Sequence, residues 1–108
     1  MKLMLLEGNC RLVFDQALQI DHVLDELGWS WLEEPIAKQN IDGYTRLNSE
    51  LKIPITGGES YTTLDPFEPF FAKKAYSIAQ FDVDVDVDVC GLTEATRIVR
   101  RAYSEGIE

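Results

Sequence analysis

Short apolar runs alternate along the chain with longer segments in which apolar residues recur at every third or fourth position. Runs of the first kind are typical of buried strands, and segments of the second kind are typical of amphipathic helices. The first helix is predicted over residues 12–27, because apolar residues share one face there and Gly28 follows as a stop signal. The predicted strands cover residues 3–7, 29–33, 53–56 and part of 77–89.

Three further helices are predicted from their start signals. Asp42 can cap a short helix, and the Asp65-Pro66 pair begins another because proline is favoured in the first helical turn. Thr93 can cap a last helix, after which Ile107 is expected to begin a further strand. The four β-α repeats predict an α/β fold with a parallel sheet and right-handed crossovers.

The composition is that of a globular protein about the size of one small domain, with 108 residues and a net charge of −9. An acidic chain is a poor partner for nucleic acid or for an anionic membrane surface, since both require a basic face. The apolar start is too short for a signal-peptide core or a membrane span. Cys10 and Cys90 form no CxxC pattern, which favours a reduced, cytoplasmic protein, although one disulfide stays open.

Three glutamates, Glu7, Glu33 and Glu59, recur at intervals of 26 residues. Each ends an apolar run (LMLLE, WSWLE and IPITGGE) and precedes a loop that leads into a helix. A common period per βα unit predicts equivalent positions on three neighbouring strands, which lie about 4.8 Å apart in a parallel sheet. We therefore expect the three carboxylates to converge at the carboxyl ends of the strands, where α/β proteins keep their active sites.

Converging carboxylates repel each other, so without a cation at least one of them would be driven toward protonation. A hard divalent ion, Mg²⁺ or Mn²⁺, resolves this repulsion through oxygen ligands. The alternative is that the glutamates are solvated residues of acidic loops, which the regular spacing and the apolar approach to each one disfavour. Glu33 is thus predicted to be a metal ligand, and Glu34 is expected to pair with a cation or a backbone donor.

The stretches WLEEP, IPITGGES and AQFDV…CGLTEA, in this order, resemble the mandelate racemase/muconate-lactonising branch of the enolase superfamily. The resemblance covers residues 1–108 and implies four βα units, strands three to six of a TIM-type barrel, about half of it. In that family, acids at the ends of barrel strands three to five bind an essential Mg²⁺. The metal stabilises the enediolate formed when a base removes the proton α to a substrate carboxylate. The matching positions are Glu7, Glu33 and Glu59.

The sequence departs from the family pattern at two places. The first metal position is usually an aspartate, and Glu7 is one methylene longer. The catalytic aspartate of the sixth strand has two candidates, because QFDVDVDVDVCGLTE contains a repeated Val-Asp pattern. Counting from Gln80 gives Asp82, and counting back from the CGL stretch gives Asp86. A calcium loop is disfavoured, because the sixth position holds no glycine and the twelfth no glutamate.

The family's N-terminal capping domain, its Lys-x-Lys base and its seventh-strand histidine have no counterpart in the 108 residues. His22, the single histidine, is expected at the surface of the first helix. The open strand edges, and an inner face expected to be lined by Trp29, Trp31, Ile53 and Ile55, call for self-association or for the remainder of a barrel.

Two functions are therefore retained. The first is part of a Mg²⁺-dependent enzyme acting on a carboxylate such as a sugar acid. Dehydratase ancestry is favoured over cycloisomerase ancestry, because Asp88 or Val89 stands where muconate-lactonising relatives carry a lysine. The second is a non-catalytic half-barrel fragment or interaction module with relic metal ligands. In either case we expect the isolated chain to have no turnover.

Overall fold

The computed structural model describes residues 5–7, 12–81 and 91–108, and of residues 5–7 it describes the backbone alone. Four strands of two or three residues form one parallel sheet in the order β1-β2-β3-β4, and a helix follows each strand. This arrangement confirms the predicted α/β fold of parallel βα units. The elements are β1 Leu5–Glu7, α1 Phe14–Glu26, β2 Trp31–Glu33, α2 Ile41–Glu50, β3 Ile55–Gly57, α3 Glu68–Ala72 (after a 3₁₀ turn, Asp65–Phe67), β4 Ile78–Ala79 and α4 Leu92–Ser104.

The starts of two helices differ from the prediction. The cap of α2 is Asn40, whose side-chain Oδ1 accepts a hydrogen bond from the Gly43 backbone N–H at 2.9 Å, so Asp42 lies inside the first turn. The residue before α4 is Gly91, so Thr93 also lies inside its helix. Aspartate is favoured both at a cap and in the first turn, and the local pattern could not separate these places. Within residues 12–81 and 91–108, each helix is too short or too polar to span a bilayer.

The sheet has one face covered by the helices. Leu32 and Ile55 are paired in register on β2 and β3, and both are fully buried in a core shared with α1, α2 and α3. Because successive side chains of a strand point to opposite faces, Glu33 and its register partner Thr56 lie on the other face. Ile53, which precedes β3, is buried in the same core as Ile55. The expectation that these two isoleucines line the inner face is therefore wrong.

The outer edge of β4 is occupied by Glu108. The Glu108 backbone N–H donates to the Ser77 carbonyl at 3.0 Å, and the Ala79 N–H donates to the Glu108 carbonyl at 2.6 Å. Such a pair of bonds, one on each side of a residue, is the ladder pattern of parallel strands. The two bonds agree with the prediction that Ile107 begins a further strand, although residues 107–108 are not assigned to a strand.

Glu94 ties α4 to the segment that leads into α3. Its Oε2 accepts a hydrogen bond from the Leu64 backbone N–H at 3.0 Å, and its Oε1 accepts one from Arg97 Nη1 at 2.6 Å. The Leu64 donor first, and the Arg97 guanidinium second, lower the pKa of Glu94 from its usual value of 4.5. Ionised Glu94 therefore stabilises the fold above pH 4.5, and this contribution is lost as the pH falls through the lowered pKa.

We expect Glu94→Gln to lower the urea midpoint at neutral pH, and the difference from wild type to narrow as the pH falls below 4.5. Glu26→Gln is the matched control, because Glu26 is exposed on α1 and the charge change is the same. This variant is expected to unfold close to wild type. Parallel pH profiles for the two variants would contradict the role given to Glu94.

Candidate functional site at the carboxyl edge of the sheet

The carboxyl edge, formed by the C-terminal ends of the strands, brings two of the predicted metal ligands level. Glu7 and Glu33 are the last residues of β1 and β2, and their Cα atoms are paired in register. The 26-residue spacing therefore corresponds to one βα unit for this pair. The structure describes no side chain for Glu7.

The third predicted ligand does not hold the equivalent position. The register partner of Glu33 on β3 is Thr56, so Glu59 lies three residues beyond that level. It is exposed, in the loop after β3. Gly58, the residue between the end of β3 and Glu59, explains the offset, because its φ of +105 turns the chain out of the strand.

The Glu33 side chain is held by a hydrogen-bond chain that crosses three strands. Glu33 is 9% exposed, and its Oε1 accepts a hydrogen bond from Gln80 Nε2 at 2.8 Å. Gln80 follows β4 directly, and its Oε1 accepts from Thr56 Oγ1 of β3 at 3.3 Å. The sequence singled out Gln80 only as a motif landmark. Gln80 is the first strongly polar residue after an apolar run, and this pattern could have identified it as a candidate site residue.

The second acid of WLEEP has a different partner. Glu34 is 4% exposed, and its Oε1 accepts a hydrogen bond from the Gly58 backbone N–H at 3.2 Å. Its own backbone N–H donates to the Thr56 carbonyl at 2.9 Å, and its φ of +41 ends the extended run of β2. The prediction that Glu34 pairs with a backbone donor is confirmed. The two adjacent acids at the end of this strand thus serve different contacts, Glu33 across the sheet and Glu34 to the next loop.

A lysine that the sequence reasoning missed joins the loops after β2 and β3. Lys38 Nζ donates to Ser60 Oγ at 2.6 Å and lies 5.9 Å from the centroid of the Tyr61 ring. That distance is within the range of a cation–π contact. A basic group therefore lies in contact with the residue that follows Glu59, and a lysine four residues after a glutamate pair was visible in the sequence as a candidate.

Several other residues singled out in the sequence have no described structure. Asp82 and Asp86 lie outside the described residues, as do Cys10 and Cys90. His22 is exposed on α1, as expected. Among the side chains of residues 12–81 and 91–108, no three His, Cys, Asp or Glu groups are close enough together to hold a metal ion.

The chain is similar to known proteins in both sequence and fold. A family model described as "Enolase C-terminal domain-like" matches residues 2–108. The chain is 36% identical over 77 residues to arabinonate dehydratase of Saccharolobus solfataricus, a match that covers 71% of this chain and 21% of that protein. It superimposes on the 3,6-anhydro-D-galactonate cycloisomerase of Zobellia galactanivorans with a TM-score of 0.86 and 31% identity, covering 100% of this chain and 30% of that one.

L-Talarate dehydratase of Polaromonas sp. JS666, solved with Mg and L-glucarate, gives a TM-score of 0.84 at 20% identity over 95% of this chain and 28% of that one. At this identity the likeness shows the fold alone. The chain spans about a fifth of the length of the curated relative. The matches over nearly the whole chain lead to one conclusion: this chain belongs to the enolase C-terminal domain-like family, whose members similar to it include sugar-acid dehydratases and cycloisomerases.

Proposed function

We propose that the chain is the metal-binding part of a Mg²⁺-dependent sugar-acid dehydratase or mandelate-racemase-like enzyme, and that its four strands are strands three to six of a TIM-type barrel. The observation that carries the proposal is the buried Glu33 carboxylate at the end of β2, level with Glu7 and bonded to a neutral amide. The similarity to arabinonate dehydratase supports a sugar acid as the substrate class.

The donor set fits a hard divalent ion. A carboxylate has about four lone-pair positions, and the Gln80 amide uses one of those on Glu33. The charge of Glu33 is not cancelled by this partner, so it stays available to a cation. Glu7, Glu33 and Glu59 would hold Mg²⁺, or Mn²⁺ in its place. Bound there, the ion would supply electrostatic stabilisation to the negative charge that develops when a proton α to a carboxylate is removed.

Of the lysines in the described residues, Lys38 reaches the carboxyl edge, where its Nζ is bonded to Ser60 Oγ. Lys52 Nζ pairs with Asp25 of α1 at 3.2 Å, and Lys73 Nζ pairs with Asp42 of α2 at 2.7 Å, both in the helical layer. Asp82 or Asp86 remains the proposed strand-six aspartate. We therefore expect the isolated chain to show no turnover with sugar acids, and measurable dehydration of any aldonate or aldarate would overturn this expectation.

A specific observation favours the second candidate, an interaction module. Val99 and Tyr103, one turn apart on α4, are 54% and 84% exposed. They line one cavity together with Ala79 of β4 and with Glu108 at the sheet edge. A second copy of the chain, or further strands of a barrel, would cover this surface. Analytical ultracentrifugation distinguishes the cases: a Tyr103→Glu variant should dissociate a self-associated chain and should leave a monomer unchanged.

The metal site is tested by thermal unfolding, followed by circular dichroism, with and without millimolar Mg²⁺. We expect Mg²⁺ to raise the midpoint of the wild-type chain and not that of Glu33→Gln, since a ligand stabilises only the state that binds it. Glu26→Gln, the same chemical change at an exposed position of α1, should keep the full Mg²⁺ response. A wild-type midpoint that does not respond to Mg²⁺ would show that the proposed site does not form.

A further inference from the structure

We infer that Gln80 is a positioning residue for this metal site, and that its side-chain amide, itself oriented by Thr56, holds the Glu33 carboxylate in the direction in which it binds the ion. The inference rests on the proposed function, because it presupposes that Glu33 is a ligand. It adds a residue that makes no contact with the metal itself.

Gln80 is fixed at both its backbone and its side chain. Its backbone N–H donates to the Gly57 carbonyl at 2.9 Å, a bond of the β3–β4 ladder at the Gly57–Ala79 pair. Its side chain then reaches across β3 to Glu33 on β2, with 2.8 Å between Nε2 and Oε1. An amide anchored in this way has little freedom to follow a carboxylate that moves.

The chemistry of the three groups allows one direction of hydrogen bonding. An ionised carboxylate only accepts, so the NH₂ group of Gln80 must face Glu33. The amide oxygen then faces Thr56, whose hydroxyl must be the donor at 3.3 Å. Thr56 is 1% exposed, so its hydroxyl has little access to competing water. The orientation of the amide is therefore determined by both neighbours at once.

A neutral donor suits a metal ligand better than a cation would. Lysine or arginine at position 80 would hold Glu33 equally well, but its positive charge would repel the incoming ion. The amide orients the carboxylate and leaves its charge in place. Ligands oriented in advance lose less side-chain freedom on binding, and hydrogen-bond partners of metal ligands typically contribute about 10- to 100-fold in metal affinity.

The alternative is that Gln80 only joins the strands and has no effect on metal binding. Ser77→Ala provides a matched control for that role. Ser77 Oγ donates to Asn48 Oδ1 at 2.6 Å at the other end of β4, so the variant removes a side-chain hydrogen bond of the same strand away from the carboxyl edge. It should lower stability without lowering metal affinity.

The experiment measures Mn²⁺ affinity of the full chain by titration followed by electron paramagnetic resonance, together with the metal-free urea midpoint of each variant. Gln80→Leu is expected to weaken Mn²⁺ binding about 10- to 100-fold and to change the spectrum of the bound ion. Thr56→Val should weaken binding in the same direction by a smaller factor, and Thr56→Ser, which keeps the hydroxyl, should restore it. The Thr56 pair decides the matter if Gln80→Leu does not fold.

The outcomes separate the two proposals. If wild type binds Mn²⁺ and Glu33→Gln does not, but Gln80→Leu and Thr56→Val bind like wild type, the positioning role is wrong and the metal site stands. An equal loss of affinity in Ser77→Ala would also overturn the positioning role, since the effect would then follow stability. If the wild-type chain does not bind Mn²⁺, the proposed metal site falls and the role of Gln80 falls with it.

Discussion

Gly58→Ala is expected to destabilise the chain by about 2–6 kcal/mol, the sum of backbone strain and overpacking. Gly58 has φ +105, where a side chain is strained. A Cβ atom there would overlap Phe67 Cε1 and would lie 3.0 Å from the Gln80 carbonyl oxygen. Phe67 is fully buried and cannot withdraw without disturbing the core. Such a loss is a large part of the 5–15 kcal/mol typical of a domain.

Urea unfolding measures this effect, and Gly28→Ala separates its two causes. Gly28 also has a positive φ, +74, but a Cβ atom there would meet nothing within 4 Å. This variant is therefore expected to lose only about 1–2 kcal/mol, the cost of left-handed backbone. Equal losses in the two variants would show that contact with Phe67 is not the cause. The Gly58 N–H also bonds to Glu34, so a shift of this loop would move Glu59 relative to Glu33.

Tyr44→Ala is the second large effect, with an expected loss of about 3–5 kcal/mol for a buried aromatic residue. Tyr44 is fully buried on α2, with its ring edge-on to Phe70 and Tyr76 at centroid distances of 5.7 and 5.5 Å. Its hydroxyl donates to the Ile36 carbonyl at 2.6 Å. The residue thus joins the aromatic core to the segment that follows WLEEP.

Tyr44→Phe is the matched control, because it keeps the ring and removes only the hydroxyl. The loss is then the buried Ile36 acceptor left without this donor, about 1–3 kcal/mol. Urea midpoints of both variants give the comparison. If Tyr44→Phe destabilised as much as Tyr44→Ala, the hydrogen bond to the loop, and not the aromatic packing, would carry the contribution of this residue.

The family relationship does not determine the type of reaction. The chain is 36% identical to a dehydratase and 31% identical to a cycloisomerase, and it superimposes on both kinds of enzyme over nearly its whole length. The shared fold is therefore compatible with either type of reaction.

The regular spacing of the three glutamates predicted the level of two of them correctly and that of the third incorrectly. It predicted correctly that Glu7 and Glu33 lie level with each other, because one βα unit separates their strands and the strands pair in register. It placed Glu59 on the same level incorrectly, because the Gly57-Gly58 pair ends the strand before the glutamate is reached. Equal spacing means only that the same number of residues separates the glutamates. The level of each glutamate also depends on the residue at which its strand ends.

The sequence by itself determined the alternation of strands and helices, the ends of β1 and β2, and the family, because apolar runs and motif order are local properties. Only the tertiary structure decided which groups donate hydrogen bonds to Glu33 and Glu34. Gln80 reaches Glu33 across 47 residues of sequence, and the Gly58 N–H reaches Glu34 across 24. These contacts depend on strand register and on one left-handed glycine, and no local pattern specifies how three separate strands align at their ends.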